Sequence, residues 1–150
     1  MTTKRKLLDR IALAASGAAL AGLLVLASPG VSIGQAQGAI TPNYKGVVPV
    51  IWRLEVANAL QSALRRGRVD AAFRDATLRD LGQLDIVNDP DTSSHAWAET
   101  LQLADRFRLT LYDAAYMELA QRRHLPLATL DRELRMAAKA LGTVLLGTAQ

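Results

Sequence analysis

Three acidic side chains lie at positions where a carboxylate costs free energy unless it has a partner or a function. Asp113 lies near the start of a predicted helix and is followed at once by alanines, and Glu55 lies on a largely apolar predicted helix. Asp131 comes directly after residues 125–130, an apolar run typical of a buried strand. Because ligands of α/β proteins bind at the carboxyl ends of the strands, Asp131 is a candidate for a binding site.

Each acid also has a plain structural explanation. Asp131 could do no more than cap the predicted helix 132–140, since aspartate is a favoured residue at helix starts. Glu55 could pair with Arg53 or Arg65 on its own helix. Taken one at a time, the acids therefore do not establish a functional site.

Two neutral residues could support the acids. Asn58 shares the helical face of Glu55 and could orient its carboxylate. Thr129 lies two residues before Asp131, on the same side of the predicted strand, and could orient a ligand or a water molecule. Both could equally be ordinary polar residues.

The composition excludes several kinds of site. The 150-residue chain has no cysteine, which removes disulfides, thiolate metal ligands and cysteine nucleophiles. It has only two histidines, His95 and His124, too few for a histidine-rich zinc site. The formal net charge of +4 comes from residues 1–45, which hold five basic residues and one acid, so the rest of the chain is neutral. The basic pI therefore says little about nucleic-acid binding by the rest.

The pattern of the chain predicts an α/β fold. Short apolar runs alternate with helical segments, which implies a parallel sheet with helices on both faces. The predicted strands are residues 47–48, 84–87, 125–130 and 143–146, and the predicted helices are residues 50–66, 69–81, 93–107, 109–123 and 132–140. Trp97, Leu101 and Ala104 are expected on the core face of their helix. Gly67 and Gly142 are expected to end helices.

Two stretches resemble a known family. Residues 112–131 read Tyr-Asp-Ala-Ala-Tyr-Met-Glu-Leu-Ala-Gln-Arg-Arg-His-Leu-Pro-Leu-Ala-Thr-Leu-Asp, and residues 48–60 read Val-Pro-Val-Ile-Trp-Arg-Leu-Glu-Val-Ala-Asn-Ala-Leu. In this order they are similar to PIN-domain ribonucleases, and the nearest group is the VapC-type toxins of bacterial toxin–antitoxin pairs. The resemblance covers about residues 47–146.

The resemblance implies a PIN-like fold with a site for Mg²⁺ or Mn²⁺. Glu55, Asp113 and Asp131 match three of the family's four acidic residues, and carboxylates that converge repel one another until a cation offsets their charge. Oxygen ligands suit Mg²⁺ or Mn²⁺ rather than Zn²⁺. Such an ion can orient a water molecule in line with a phosphodiester and stabilise the transition state. The implied function is a metal-dependent endoribonuclease, the toxin of a toxin–antitoxin pair.

The resemblance also implies partners and a location. RNA, single-stranded or structured, would be the substrate, and a small antitoxin protein would occupy the site. Members of the family often form homodimers, and no nucleotide cofactor is implied. The implied location is the cytoplasm.

The N-terminal part departs from the family pattern. The family places its first acid at the end of the first strand, but residues 10–54 contain no Asp or Glu. Asp9, which follows Leu7 and Leu8, is the only candidate for that acid and for a further metal ligand. The predicted fold is therefore a PIN-like parallel sheet whose first strand is missing or replaced.

Residues 1–45 read as a signal-like or non-native segment, separate from a PIN-like domain at residues 46–150. A basic start, the uncharged run 11–27 and a tail of small residues have the layout of a secretory signal peptide. Alanine and leucine predominate in the run, so we expect a helix that does not replace the missing strand. An exported or membrane-tethered protein is therefore one alternative function. A truncated, inactive PIN-like domain that acts only as a binding module is the other.

Overall fold

The computed structural model describes residues 25–27 and 45–146, which form one sheet packed against helices. The strands are β1 (Val25–Ala27), β2 (Lys45–Pro49), β3 (Ile86–Asp89), β4 (Leu127–Ala128) and β5 (Leu145–Leu146). The helices are α1 (Trp52–Arg65), α2 (Ala71–Gly82), α3 (Thr92–His95), α4 (Glu99–Phe107), α5 (Leu111–Arg122) and α6 (Arg132–Ala140). The predicted α/β class is confirmed. Asp9 lies outside the described residues, so its role stays a prediction.

The sheet is mixed, in the order β3-β2-β1-β4-β5. β2 pairs with β3 in parallel, and so does β4 with β5, as the sequence predicts. β1 runs antiparallel to both of its neighbours, with Val25 opposite Val47 on one side and Leu127 on the other. The predicted parallel sheet is therefore wrong at its centre.

β1 also corrects the prediction for the apolar N-terminal run. Residues 11–24 lie outside the described part of the chain, but Val25–Ala27 form a strand where a helix was expected. All three residues pair with β2, and Val25 also pairs with Leu127 of β4. These pairings give the backbone hydrogen-bond partners, and this outweighs the helix preference of leucine and alanine. The N-terminal segment thus supplies a central strand, while the division of the chain at residue 45 stays a prediction.

Helix α5 is buried all round over two turns. Its seven consecutive residues 114–120 are buried, and it packs against α4, α6 and strands β1, β2 and β4. A helix buried on every side belongs in the centre of a fold, where its alanines let the neighbouring elements approach closely. The apolar core around it consists of Val47, Val48, Trp52, Val56, Leu60, Ala63, Leu81, Leu127, Leu134, Ala137 and Ala138.

Two predicted elements are shorter than expected. The strand predicted at residues 125–130 is reduced to β4, and Leu130 is 71% exposed. The helix predicted at residues 93–107 is interrupted at Ala98, where the backbone is not helical, and becomes α3 and α4. The interruption changes the helical phase, so Trp97 is 92% exposed and Leu101 is exposed as well, against the prediction. Ala104 is buried as predicted.

A buried ion network joins β3 to α5. Asp89, the last residue of β3, is fully buried and accepts hydrogen bonds from Arg122 Nη2 at 2.7 Å and from the Thr92 hydroxyl at 3.1 Å. Arg122 Nε also donates to the buried Glu118 at 2.6 Å. Burial alone would raise the pKa of Asp89, but the hydrogen bonds and charge of Arg122, with Thr92 and Arg123, hold this pKa below its usual value.

Arg122→Met is expected to lower the free energy of unfolding by about 3–5 kcal/mol, because it removes the arginine that the buried Asp89 and Glu118 share. Urea denaturation at pH 7 measures the change. Arg123→Met is the matched control, since the Arg123 side chain is 43% exposed and its loss should cost less than about 1 kcal/mol. Equal effects of the two substitutions would contradict a stabilising role for the buried network.

The same network predicts the acid stability of the wild-type protein. Because the folded-state pKa of Asp89 is lowered, the stability it contributes is present above the ordinary carboxyl pKa and is lost as the pH falls through the folded value. Unfolding free energies should therefore drop below about pH 4. Denaturation curves from pH 7 to pH 2.5 test this, and the drop should be smaller in Arg122→Met.

In the part of the chain that the structure describes, four helices end in the same backbone turn, in which one residue takes a positive φ. This residue is Gly67 after α1 and Gly142 after α6, as predicted, but Arg108 after α4 and His124 after α5. The amide of the following residue then donates to the carbonyl five positions before it, at 2.8 to 3.0 Å. Such ends favour glycine, because other L-residues are strained in this conformation.

His124→Gly and Arg108→Gly are each expected to raise the free energy of unfolding by up to about 1 kcal/mol. The free energy gained by relieving the strained φ should exceed the free energy lost because glycine gives the unfolded chain more conformational freedom. Gly142→Ala is the reverse control and should lower stability by about 1 kcal/mol, since a Cβ there meets no atom within 4 Å and only the backbone conformation matters. Thermal unfolding measures all three, and a destabilised His124→Gly would reveal a side-chain contact stronger than the strain.

Candidate active site

Glu55 lies in the first turn of α1, half-buried, and is tied to α5. Its Oε2 accepts a 2.6 Å hydrogen bond from the hydroxyl of Tyr116, which is 1% exposed. Burial raises the pKa of Glu55, the Tyr116 hydrogen bond lowers it and the charge of Asp113 raises it, so that the pKa lies above its usual value. The hydrogen-bond partner of Glu55 is thus Tyr116, and not Arg53 or Arg65 as its alternative structural explanation proposed.

Asp113 lies in the first turn of α5 and is held by the residue that caps this helix. The Thr110 hydroxyl accepts a hydrogen bond from the Asp113 amide at 3.1 Å and donates one to its Oδ2 at 2.6 Å. Burial raises the pKa of Asp113 and the Thr110 hydrogen bond lowers it, but the charges of Asp131 and Glu133 raise it further above its usual value. The predicted position at a helix start is confirmed.

Asp131 caps α6, as its structural explanation predicts. Its Oδ1 accepts a 2.7 Å hydrogen bond from the Leu134 amide. The buried Thr129 fixes the preceding turn: its hydroxyl accepts from the Asp131 amide at 3.1 Å, and its carbonyl accepts from Arg135 Nη1 at 2.8 Å. Because a carboxylate has two oxygens, Asp131 can cap the helix through one and hold a ligand through the other.

The three acids interact through their charges. Asp113 raises the pKa of Glu55, and Asp131 raises the pKa of Asp113, so Asp113 links the other two electrostatically. Within residues 25–27 and 45–146, however, no group of three or more His, Asp or Glu side chains is arranged to hold a metal ion directly. Mg²⁺ is often bound by one or two carboxylates with several waters retained. The oxygen donors and their mutual repulsion therefore fit a hydrated divalent cation.

Three residues beside these acids had no role in the sequence interpretation. Thr110 and Tyr116 hold Asp113 and Glu55 by hydrogen bonds, and Glu133 adds a negative charge near Asp113. A threonine three residues before an acid is a helix-start signal that could have identified Thr110. No sequence signal pairs Tyr116 with Glu55, which lies 61 positions away.

The two supporting residues have different outcomes. Asn58 is exposed, and the hydrogen bond that holds Glu55 comes from Tyr116 instead, so a role for Asn58 stays a prediction. Thr129 follows the short strand β4 instead of lying in it, and its hydroxyl accepts from the Asp131 amide. Its role in orienting a ligand or a water molecule stays a prediction.

The family of the chain follows from comparison with known proteins. The PIN domain model matches residues 33–140, which is most of the chain, and the chain belongs to the PIN domain family. The predicted resemblance is confirmed, and the match begins upstream of residue 46. Exonuclease VapC9 of Pyrobaculum aerophilum is 37% identical over 91 residues, which cover 60% of this chain and 63% of that protein. The chain thus spans just under two thirds of that relative. No solved structure matches it significantly.

Glu55→Gln and Asp113→Asn are expected to leave the free energy of unfolding at pH 7 unchanged or slightly higher. A carboxyl with a raised folded-state pKa favours folding most below its ordinary pKa, and this contribution is lost as the pH rises through the folded value. The amide side chains do not titrate, so the variants lack this loss of stability with rising pH, and each keeps an oxygen that accepts from Tyr116 or Thr110. Urea denaturation measures the free energy of unfolding at pH 4 and at pH 7, and the difference between the two values should be smaller in both variants than in the wild type.

Asp131 provides the matched comparison. Asp131→Asn should be nearly neutral for stability because asparagine also caps helices, whereas Asp131→Ala should cost about 1 kcal/mol. A marked loss of stability in Glu55→Gln or Asp113→Asn, as large as that of Asp131→Ala, would make these acids structural.

Proposed function

We propose that this protein is a metal-dependent endoribonuclease, the toxin of a toxin–antitoxin pair. The observation that carries the proposal is the electrostatic linkage of Glu55, Asp113 and Asp131 in a chain of the PIN domain family. The name of the relative, Exonuclease VapC9, supports nuclease chemistry. RNA as the substrate, and internal rather than terminal cleavage, are parts of the proposal.

Glu55, Asp113 and Asp131 would hold Mg²⁺ or Mn²⁺. A divalent cation bound there supplies Lewis-acid chemistry, which activates water and stabilises the negative charge of a phosphodiester transition state. The chain itself positions the ligands: Thr110 fixes the carboxylate of Asp113, and Tyr116 fixes that of Glu55. Their raised pKa values reflect burial and negative neighbours, surroundings that favour a positive charge at this place.

The proposal includes a small antitoxin protein as partner, a homodimer and a location in the cytoplasm. Export or tethering through residues 11–27 is the alternative location; within the described residues, no helix is long and apolar enough to cross a membrane. A second function, that of an inactive binding module, is favoured by one observation. The described residues hold no ready group of three metal ligands.

Cleavage of a mixed RNA substrate decides between these functions. Wild-type protein with Mg²⁺ or Mn²⁺ should release internal fragments, and EDTA should stop the reaction. Glu55→Gln and Asp113→Asn should each lower the rate at least about 100-fold, because each removes a cation ligand. Asp105→Asn, which neutralises an exposed acid on α4, is the matched control and should retain full activity. No cleavage by the folded wild-type protein at any cation concentration would favour the binding module.

Asp9→Asn tests the remaining acid. We expect no change in cleavage, because Asp9 stands in a basic segment that precedes the family match. A loss as large as that of Asp113→Asn would instead identify Asp9 as the family's first acid.

A further inference from the structure

Tyr116 places a hydroxyl group in the protein core. It is the largest fully buried side chain of the described residues. Phenylalanine would fill nearly the same volume with no polar group to satisfy, whereas a buried tyrosine hydroxyl needs a hydrogen-bond partner. The hydroxyl donates to Glu55 Oε2 at 2.6 Å. Packing alone therefore does not account for this hydroxyl, and its effect falls on Glu55.

The bond restrains the acid more than the tyrosine. Tyr116 is fixed by its burial in α5, whereas Glu55 is half-buried and its side chain has more rotatable bonds than that of tyrosine. A hydrogen bond to a carboxylate is among the stronger kinds in proteins. Only Oε2 accepts it, which leaves Oε1 for another ligand.

Asp113 and Tyr116 lie three residues apart on α5, the spacing at which side chains share a helix face. One turn of α5 therefore carries one candidate ligand and the hydroxyl that holds another. The charge of Asp113 also acts on both Glu55 and Tyr116, which brings all three groups into one electrostatic neighbourhood.

We propose that Tyr116 is a positioning residue that holds the Glu55 carboxylate in one orientation to receive a divalent cation. The inference rests on the proposed function for the cation, and on the hydrogen bond and burial for the orientation. Hydrogen-bond partners of metal ligands commonly change metal affinity or activity by about 10-fold to 100-fold when they are removed.

Tyr116→Phe tests the proposal, with Tyr112→Phe as the matched control, because Tyr112 lies one turn earlier on α5 and is 60% exposed. Three quantities are measured: the rotamers of Glu55 from side-chain scalar couplings in cation-free protein, the Kd for Mn²⁺ by calorimetry, and kcat and KM for RNA cleavage. In Tyr116→Phe, Glu55 should become averaged over rotamers, the Kd should rise about 10-fold, and kcat should fall about as much with less change in KM. The control should match the wild type.

A double-mutant cycle separates positioning from general stability. In a Glu55→Gln background, Tyr116→Phe should cause little further loss of Mn²⁺ affinity, since the carboxylate that it positions is already gone. An equal further loss, or a single unchanged Glu55 rotamer in Tyr116→Phe, would overturn the proposal. If the wild-type protein neither binds Mn²⁺ nor cleaves RNA, the proposed function fails, and the rotamer measurement still decides whether Tyr116 orients Glu55.

Discussion

The burial of α5 is the constraint on which the rest of the structure depends. A helix enclosed over two turns can carry polar side chains only where each has a partner. Tyr116 meets Glu55 on α1, and Glu118 meets Arg122, which also reaches Asp89 at the end of β3. These contacts fix the helix to α1 at its middle and to the sheet at its C-terminal end. Because the helix is fixed at these places, its N-terminal turn, which carries the candidate metal ligand Asp113, is fixed as well.

The acids around α5 fall into two electrostatic classes. Asp89 is buried against arginines, and its pKa is held below the usual value, which is the behaviour of a structural ion pair. Glu55 and Asp113 are partly buried and lie near other acids, and both of these factors raise their pKa values. Raised carboxyl pKa values that occur together indicate a site where negative charge is concentrated without compensation. This contrast supports a cation site at the start of α5 rather than at the Asp89 network.

The centre of the sheet is formed by a strand that precedes the family match. β1 lies between β2 and β4 and pairs with both. Without β1, the facing edges of β2 and β4 would have unpaired backbone N–H and C=O groups, and such buried unpaired groups cost free energy. All three residues of β1 pair with β2, whereas only Val25 pairs with β4. β1 runs antiparallel to both neighbours, although alternating strands and helices predict parallel strands. Backbone pairing therefore accounts for the place of β1 in the sheet, and the predicted strand direction does not.

The sequence by itself determined the features that depend on near neighbours. Thr110 and Asp131 start their helices, Gly67 and Gly142 end theirs, and each acts within five residues of its partner. The α/β class and the family followed from periodicity and motif wording. Only the tertiary structure decided which residues meet across the fold.

Three features differ from what the local sequence pattern predicts or are not predicted by it. They are the central strand Val25–Ala27, the exposure of Trp97 and the pairing of Tyr116 with Glu55. The physical reason is that helix caps are short-range hydrogen bonds, specified by a few adjacent residues. Strand pairing, burial and the partner of a core hydroxyl depend on segments distant in the chain, and their geometry is settled only when those segments pack together.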